Sequence, residues 1–192
     1  MRKRLVIAAV VAGFTVAGCG TGEPEMSRPP LVYDESVTDY KLINDVMQID
    51  FNRRNGKPEE YALVPGTRPP SLLRMTPGGS RGEDGSFVMT YQFGEQWHHA
   101  LVELSPRATD TCESVKADGI GLCVRDGVVP SGSGKQPHVA VYFTGNVTTE
   151  PRAGDPETDK AIDFWSTAEM VTFNEATWVT DLLVRGKAAA EQ

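Results

Sequence analysis

The side chains best equipped for chemistry gather at two places. Glu95, Trp97, His98 and His99 fall within one short stretch, and Cys112 and Cys123 form an isolated pair further on. Imidazoles beside a carboxylate can hold a metal or move a proton. Neighbouring residues in a strand point to opposite faces, however, so His98 and His99 cannot serve one site without a bulge. The third histidine, His138, lies on a separate stretch. The spacing therefore predicts no catalytic residue, no metal site and no cofactor. It leaves Trp97, His98 and His99 as a candidate interaction surface, because an aromatic and imidazoles beside a loop offer amphipathic contact area at little entropic cost. Trp97 shares parity with His99, Leu101 and Glu103, opposite to Ala100, Val102 and Leu104, so it is exposed only where helices leave that second face uncovered.

The remaining motifs fail on spacing. Ser131-Gly132-Ser133-Gly134-Lys135 lacks the first glycine and the final hydroxyl of a phosphate-binding loop, and Ser133 lacks the flanking glycines of a nucleophile elbow. No Ser-x-x-Lys occurs in the chain. Asp155, Glu157 and Asp159 are spaced like calcium ligands, but Lys160 stands where the turn glycine is required, so they read as the acidic start of a helix. Asn146-Val147-Thr148 has the glycosylation acceptor pattern and little context to support it.

Positioning these residues falls to elements that the hydrophobic pattern makes legible. From Ser36, the apolar positions Tyr40, Leu42, Ile43, Val46, Met47 and Ile49 make a broad helical face; Ser36 and Asp39 are spaced as a capping box. Short strands are expected at Tyr61–Val64 and Leu72–Met75, then a turn-rich loop from Gly78 to Gly85. Phe87, Met89, Tyr91 and Phe93 alternate with Val88, Thr90 and Gln92, and after Gly94-Glu95-Gln96 the alternation resumes from Trp97 to Leu104, which predicts a hairpin. Strands follow within Gly119–Val129 and at His138–Thr144. Asp155 and Pro156 open a helix to about Ser166, Met170–Phe173 is a last strand, and a final helix around Trp178 ends at Gly186. The order predicts one α+β domain over residues 36–187, an antiparallel sheet with helices packed on one face.

The first residues decide the compartment. Arg2, Lys3 and Arg4 precede a short apolar run, Leu5 to Ala17, well below the roughly 20 residues a membrane-spanning helix needs. Val16-Ala17-Gly18-Cys19 resembles the lipobox of bacterial lipoproteins position by position. The resemblance covers about the first tenth of the chain. It implies that residues 1–18 are a cleaved signal peptide and that Cys19 becomes the first mature residue, carrying a diacylglyceryl group on its sulfur. Two acyl chains suffice for stable anchoring where one does not. Residues 19–35, rich in proline and polar residues, then read as a lipidated tether.

Removing residues 1–18 takes away three of the 19 cations and none of the 26 acids, so the mature net charge is −10. That excludes nucleic acid as a partner and argues against electrostatic adhesion to anionic lipid, leaving the lipid to do the holding. In an oxidising compartment Cys112 and Cys123 are expected to form a disulfide. The resulting expectation is a cell-membrane lipoprotein facing the extracytoplasmic side, binding an envelope protein or small ligand and carrying out no chemistry of its own. The alternative is an envelope hydrolase whose site is assembled from residues distant in sequence.

Overall fold

The structure, a computed structural model, describes residues 38–55, 63–81, 86–94, 98–108, 110–118, 121–128, 137–145 and 151–191. In chain order the elements are α1 (Tyr40–Arg54), β1 (Leu63–Pro65), β2 (Leu72–Arg81), β3 (Ser86–Phe93), β4 (His98–Ser105), α2 (Thr111–Asp118), β5 (Leu122–Val128), β6 (His138–Thr144), α3 (Pro156–Thr167), β7 (Met170–Thr172) and α4 (Thr177–Ala190). Strands β2, β3, β4, β6 and β5 lie side by side in that order as an antiparallel sheet, and β1 pairs with β7 in a second, two-stranded one. The fold is α+β, as the sequence predicts.

Parity builds the core. Phe87 stands opposite Leu104, Met89 opposite Val102 and Tyr91 opposite Ala100, and Val139, Val141 and Phe143 of β6 extend the same apolar rows. Leu42, Ile43, Val46 and Ile49 from α1, Ala161 and Trp165 from α3, and Val179 and Leu182 from α4 join them in one buried cluster. Each large aliphatic or aromatic side chain fully buried there contributes about 1.5–3 kcal/mol. Trp178 ties α4 to β1 by donating its indole N–H to the Pro65 carbonyl at 2.8 Å.

Several details depart from expectation for local reasons. Gly186 does not end the last helix, which continues to Ala190. It is the point where α4 meets α1: a Cβ there would lie 2.8 Å from Ile43 Cγ2 and collide with Met47. β2 runs past Met75 to Arg81, through Pro77 and Gly78. It is an edge strand, where a missing N–H is tolerated, and its register shifts between Pro77 and Ser80. Asp39 precedes α1 without a side-chain capping bond, and Ser36 lies outside the described residues. Asp45 of α1 accepts from Arg74 Nε at 2.7 Å, Arg74 Nη2 at 2.8 Å and the Met75 N–H at 3.0 Å, fixing α1 against the sheet edge.

The short helix α2 has no counterpart in the sequence reading. It packs beside the second face of the sheet: Cys112 and Val115 are buried, Thr111 donates to Glu103 of β4 at 3.1 Å, and Cys112 is disulfide-bonded to Cys123 of β5 with Cα atoms 5.4 Å apart. This bond closes a short loop, so reducing it should cost about 3 kcal/mol of stability. A melting curve in reductant checks this: an unchanged midpoint with both thiols free would contradict it.

Candidate functional site

The hairpin end is docked onto the start of α3. Asp155 caps that helix, its carboxylate accepting the Thr158 N–H at 2.9 Å, with Pro156 in the first turn. These bonds, and the Thr158 hydroxyl, hold the Asp155 carboxyl below its ordinary value. Gly94 ends β3 with φ of 70°, and the Glu157 carboxylate occupies the space where its side chain would be. A glycine is required here twice over, for the left-handed backbone and for the close approach.

The two adjacent histidines separate as strand parity demands. His98 turns toward the core, 2% exposed, with its ring edge-on to Phe93 at 5.7 Å. It is therefore not part of an exposed contact surface, contrary to the sequence expectation: it opens β4 on the same face as Ala100 and Val102. Trp97 lies outside the described residues. His99 lies on the second face, half-buried, its Nε2 3.3 Å from Gln92 Nε2.

Neither ring nitrogen of His98 has a hydrogen-bond partner among the described residues. An apolar group of similar shape removes an unsatisfied buried polar group at little cost. His98→Leu should accordingly keep its unfolding free energy, measured in urea, within about 1 kcal/mol of wild type; a loss of several kcal/mol would show that the imidazole is engaged.

Burial, and secondarily the nearby His98, hold the His99 imidazole below its ordinary value, so it is neutral at pH 7. The unfolded chain then binds the proton more readily than the folded one. Stability is full above about pH 6.5 and falls as pH drops toward the folded value. Asp39, held low chiefly by its bond to Arg68, adds a loss of the same sign below about pH 4. The melting temperature should thus decline from pH 7 to pH 5, and His99→Gln should flatten that decline; a profile parallel to wild type would contradict the assignment.

The second face also carries a polar group that sequence inspection missed. His138 Nε2 lies 2.8 Å from Asp126 Oδ1, Ser105 stands directly opposite His138, and Glu103 accepts from Thr111. Ser105, His138 and Asp126 come from β4, β6 and β5, and β6 lies between the other two in the sheet. The types suggest a nucleophile, base and acid, but the geometry does not assemble a relay. The Ser105 hydroxyl donates to the Arg107 carbonyl, and His138 Nδ1 has no partner among the described residues. Ser105 and His138 are also 3% and 7% exposed, too enclosed for a substrate to reach. The only signal available in sequence was the shared parity of His138, Ala140 and Tyr142.

One cavity, of about 220 Å³, lies between α1 and α4 and is lined by Met47, Asp50, Arg54, Leu183 and Lys187. It is smaller than usual ligand sites. Its buried charge, Asp50, is already engaged by Arg53 at 3.0 Å and by Arg54. Among the described residues, no three His, Cys, Asp or Glu side chains are grouped to hold a metal, and no helix is long and apolar enough to cross a membrane. Cys19, Ser131–Lys135 and Asn146–Thr148 lie outside the described residues. No family model, curated protein or solved structure matches this chain.

Proposed function

We propose that this chain is a bacterial envelope lipoprotein, anchored by a diacylglyceryl group on Cys19, whose extracytoplasmic domain is a binding module. The observation that carries the reading is the register of the signal, with charge, apolar run and Val16-Ala17-Gly18-Cys19 in sequence order. The Cys112–Cys123 disulfide supports it, since such bonds persist in oxidising compartments.

The contact surface we favour is the part of the second sheet face that α2 leaves open. Thr90, Gln92, His99, Leu101 and Thr144, from β3, β4 and β6, are half-buried there and uncharged at neutral pH. Such a surface suits an envelope protein or a small polar ligand. The hydrolase alternative is disfavoured because, among the described residues, Ser105 and His138 are buried and the Ser105 hydroxyl is bonded to the Arg107 carbonyl. Growth on radiolabelled palmitate tests the anchor. The protein should take up label that resists boiling in detergent, and an unlabelled protein would refute the reading.

A further inference from the structure

Helix α2 is a short cover laid over one half of the second sheet face. Of its eight residues, Cys112 and Val115 are buried, and neither joins the cluster that α1, α3 and α4 form with the core face. A helix this short is not stable in water by itself, so what fastens it decides whether it forms. Thr111 donates to Glu103 of β4, and Cys112 is bonded to Cys123 of β5, which stands opposite Tyr142 of β6. Cross-strand partners share a face, and Glu103 is likewise opposite Ala140. The helix touches β5 and β6, and Glu103, Ala140 and Tyr142 beside it are buried. Thr90, Gln92, His99, Leu101 and Thr144, further along the same face, are half-buried.

The two sulfurs of the bond differ in access. Cys112 is 1% exposed, whereas Cys123 is half-buried and lies on β5, an edge strand of the sheet. A thiolate arriving from solvent therefore meets Cys123 Sγ first. Its attack forms a new S–S bond to Cys123 and breaks the bond to Cys112, whose sulfur leaves with the electron pair and takes a proton from water. The second thiolate of a dithiol reductant then attacks the reductant's own sulfur in the mixed disulfide. Cys123 leaves as the thiol after taking up a proton, and the reductant is oxidised to its disulfide, a transfer of two electrons.

We infer that the Cys112–Cys123 bond is a reducible latch: attack at Cys123 by a dithiol of the envelope frees α2 and uncovers Glu103, Ala140 and Tyr142 of the second sheet face. The inference rests on the exported, binding-module reading above and gives its contact surface a control. Tyr142 stands opposite Leu101, and Glu103 is the next residue of β4 on the same face, so the uncovered side chains extend the open surface without a break. Reduction thereby adds a carboxylate and a phenol to a surface otherwise built from Thr90, Gln92, His99, Leu101 and Thr144. The main core lies on the other face of the sheet, so the domain stays folded while the helix opens.

The full chain, isolated from its own membranes with N-ethylmaleimide present, provides the test. Before any reductant is added, Cys112 and Cys123 should carry no maleimide; maleimide on both would overturn the exported reading together with the inference. With the maleimide removed, brief treatment with glutathione in the absence of denaturant, trapped by fresh maleimide, should leave glutathione on Cys123 and maleimide on Cys112 about tenfold more often than the reverse. In dithiothreitol, hydrogen exchange over residues 111–118 should speed about tenfold, while residues 86–93 and 156–167 stay within about twofold of the oxidised protein. A variant with Cys112→Ala and Cys123→Ala should show the same fast exchange without reductant, and tetranitromethane should nitrate its Tyr142 about fivefold faster than in the oxidised wild type. Glutathione chiefly on Cys112, exchange over 111–118 unchanged by reduction, or equal acceleration of α2, β3 and α3 would each overturn the inference and leave the exported reading standing.

Discussion

Trp165→Ala should destabilise the folded domain by about 3–5 kcal/mol, the range for emptying a buried aromatic site. Trp165 is 1% exposed and meets Tyr91 of β3 at a ring separation of 4.9 Å and Phe164 at 5.2 Å, both edge-on. The indole is the largest side chain that α3 contributes to the core, so its removal leaves a void between the helix and the middle of the sheet. The Tyr91 hydroxyl is already buried without a partner among the described residues, and burial raises its pKa far above the ordinary value. Water entering the void would reach that hydroxyl and recover part of the loss, which places the expectation nearer the lower bound. Urea unfolding of the mature domain measures the effect, with Trp165→Phe as the milder comparison. A loss under about 1 kcal/mol would mean that α3 is not seated on the sheet in this way.

That helix shows why part of the fold could be read directly. Asp155, Pro156 and the acids after them act locally, within one turn, so the sequence carries their meaning unaided. The β3–β4 hairpin is legible for a similar reason, since alternation over two adjacent runs sets both the register and the buried face. Gly186 was misread because a glycine that ends a helix and one that admits a neighbouring helix look the same in sequence; only Ile43 and Met47 distinguish them. Helix α2 escaped because its stability comes from outside itself. Cys112 and Val115 are its two buried positions, too few for a periodic signal, and the disulfide and the Thr111–Glu103 bond fasten it to strands on either side in sequence.

The candidate site was less legible than the fold. Parity correctly put His98 and His99 on opposite faces, yet which face the helices cover is a tertiary property that strand alternation cannot specify. The Ser105, His138 and Asp126 grouping depends on β6 being inserted between β4 and β5, a non-sequential strand order. Asp39 is likewise bonded to Arg68 and Arg185, 29 and 146 positions away.

The change with the greatest effect on behaviour, as distinct from stability, is Cys19→Ser. A serine hydroxyl cannot take the place of the thiol in the lipid transfer, so the variant should either pass into the soluble fraction or accumulate as a precursor retaining residues 1–18. The size of the shift follows from the acyl chains. A single chain of myristoyl length binds membranes with an association constant of only about 10⁴ M⁻¹, and each further buried methylene adds about 0.8 kcal/mol, so two chains hold essentially all of the protein and none holds almost nothing. With a mature net charge of −10, the domain has no electrostatic means of staying behind. The fold should be untouched, because residue 19 lies well before α1 and the Cys112–Cys123 bond does not involve it. A variant that is processed and still partitions with membranes like wild type would show that something other than Cys19 is the anchor.

The mass of the N-terminal peptide, taken from protein isolated from its own membranes, tests the central claim most directly. The account predicts a peptide that begins at Cys19 and carries the mass of a diacylglyceryl group on its sulfur. A peptide that begins elsewhere and contains Cys19 as a free thiol would contradict it.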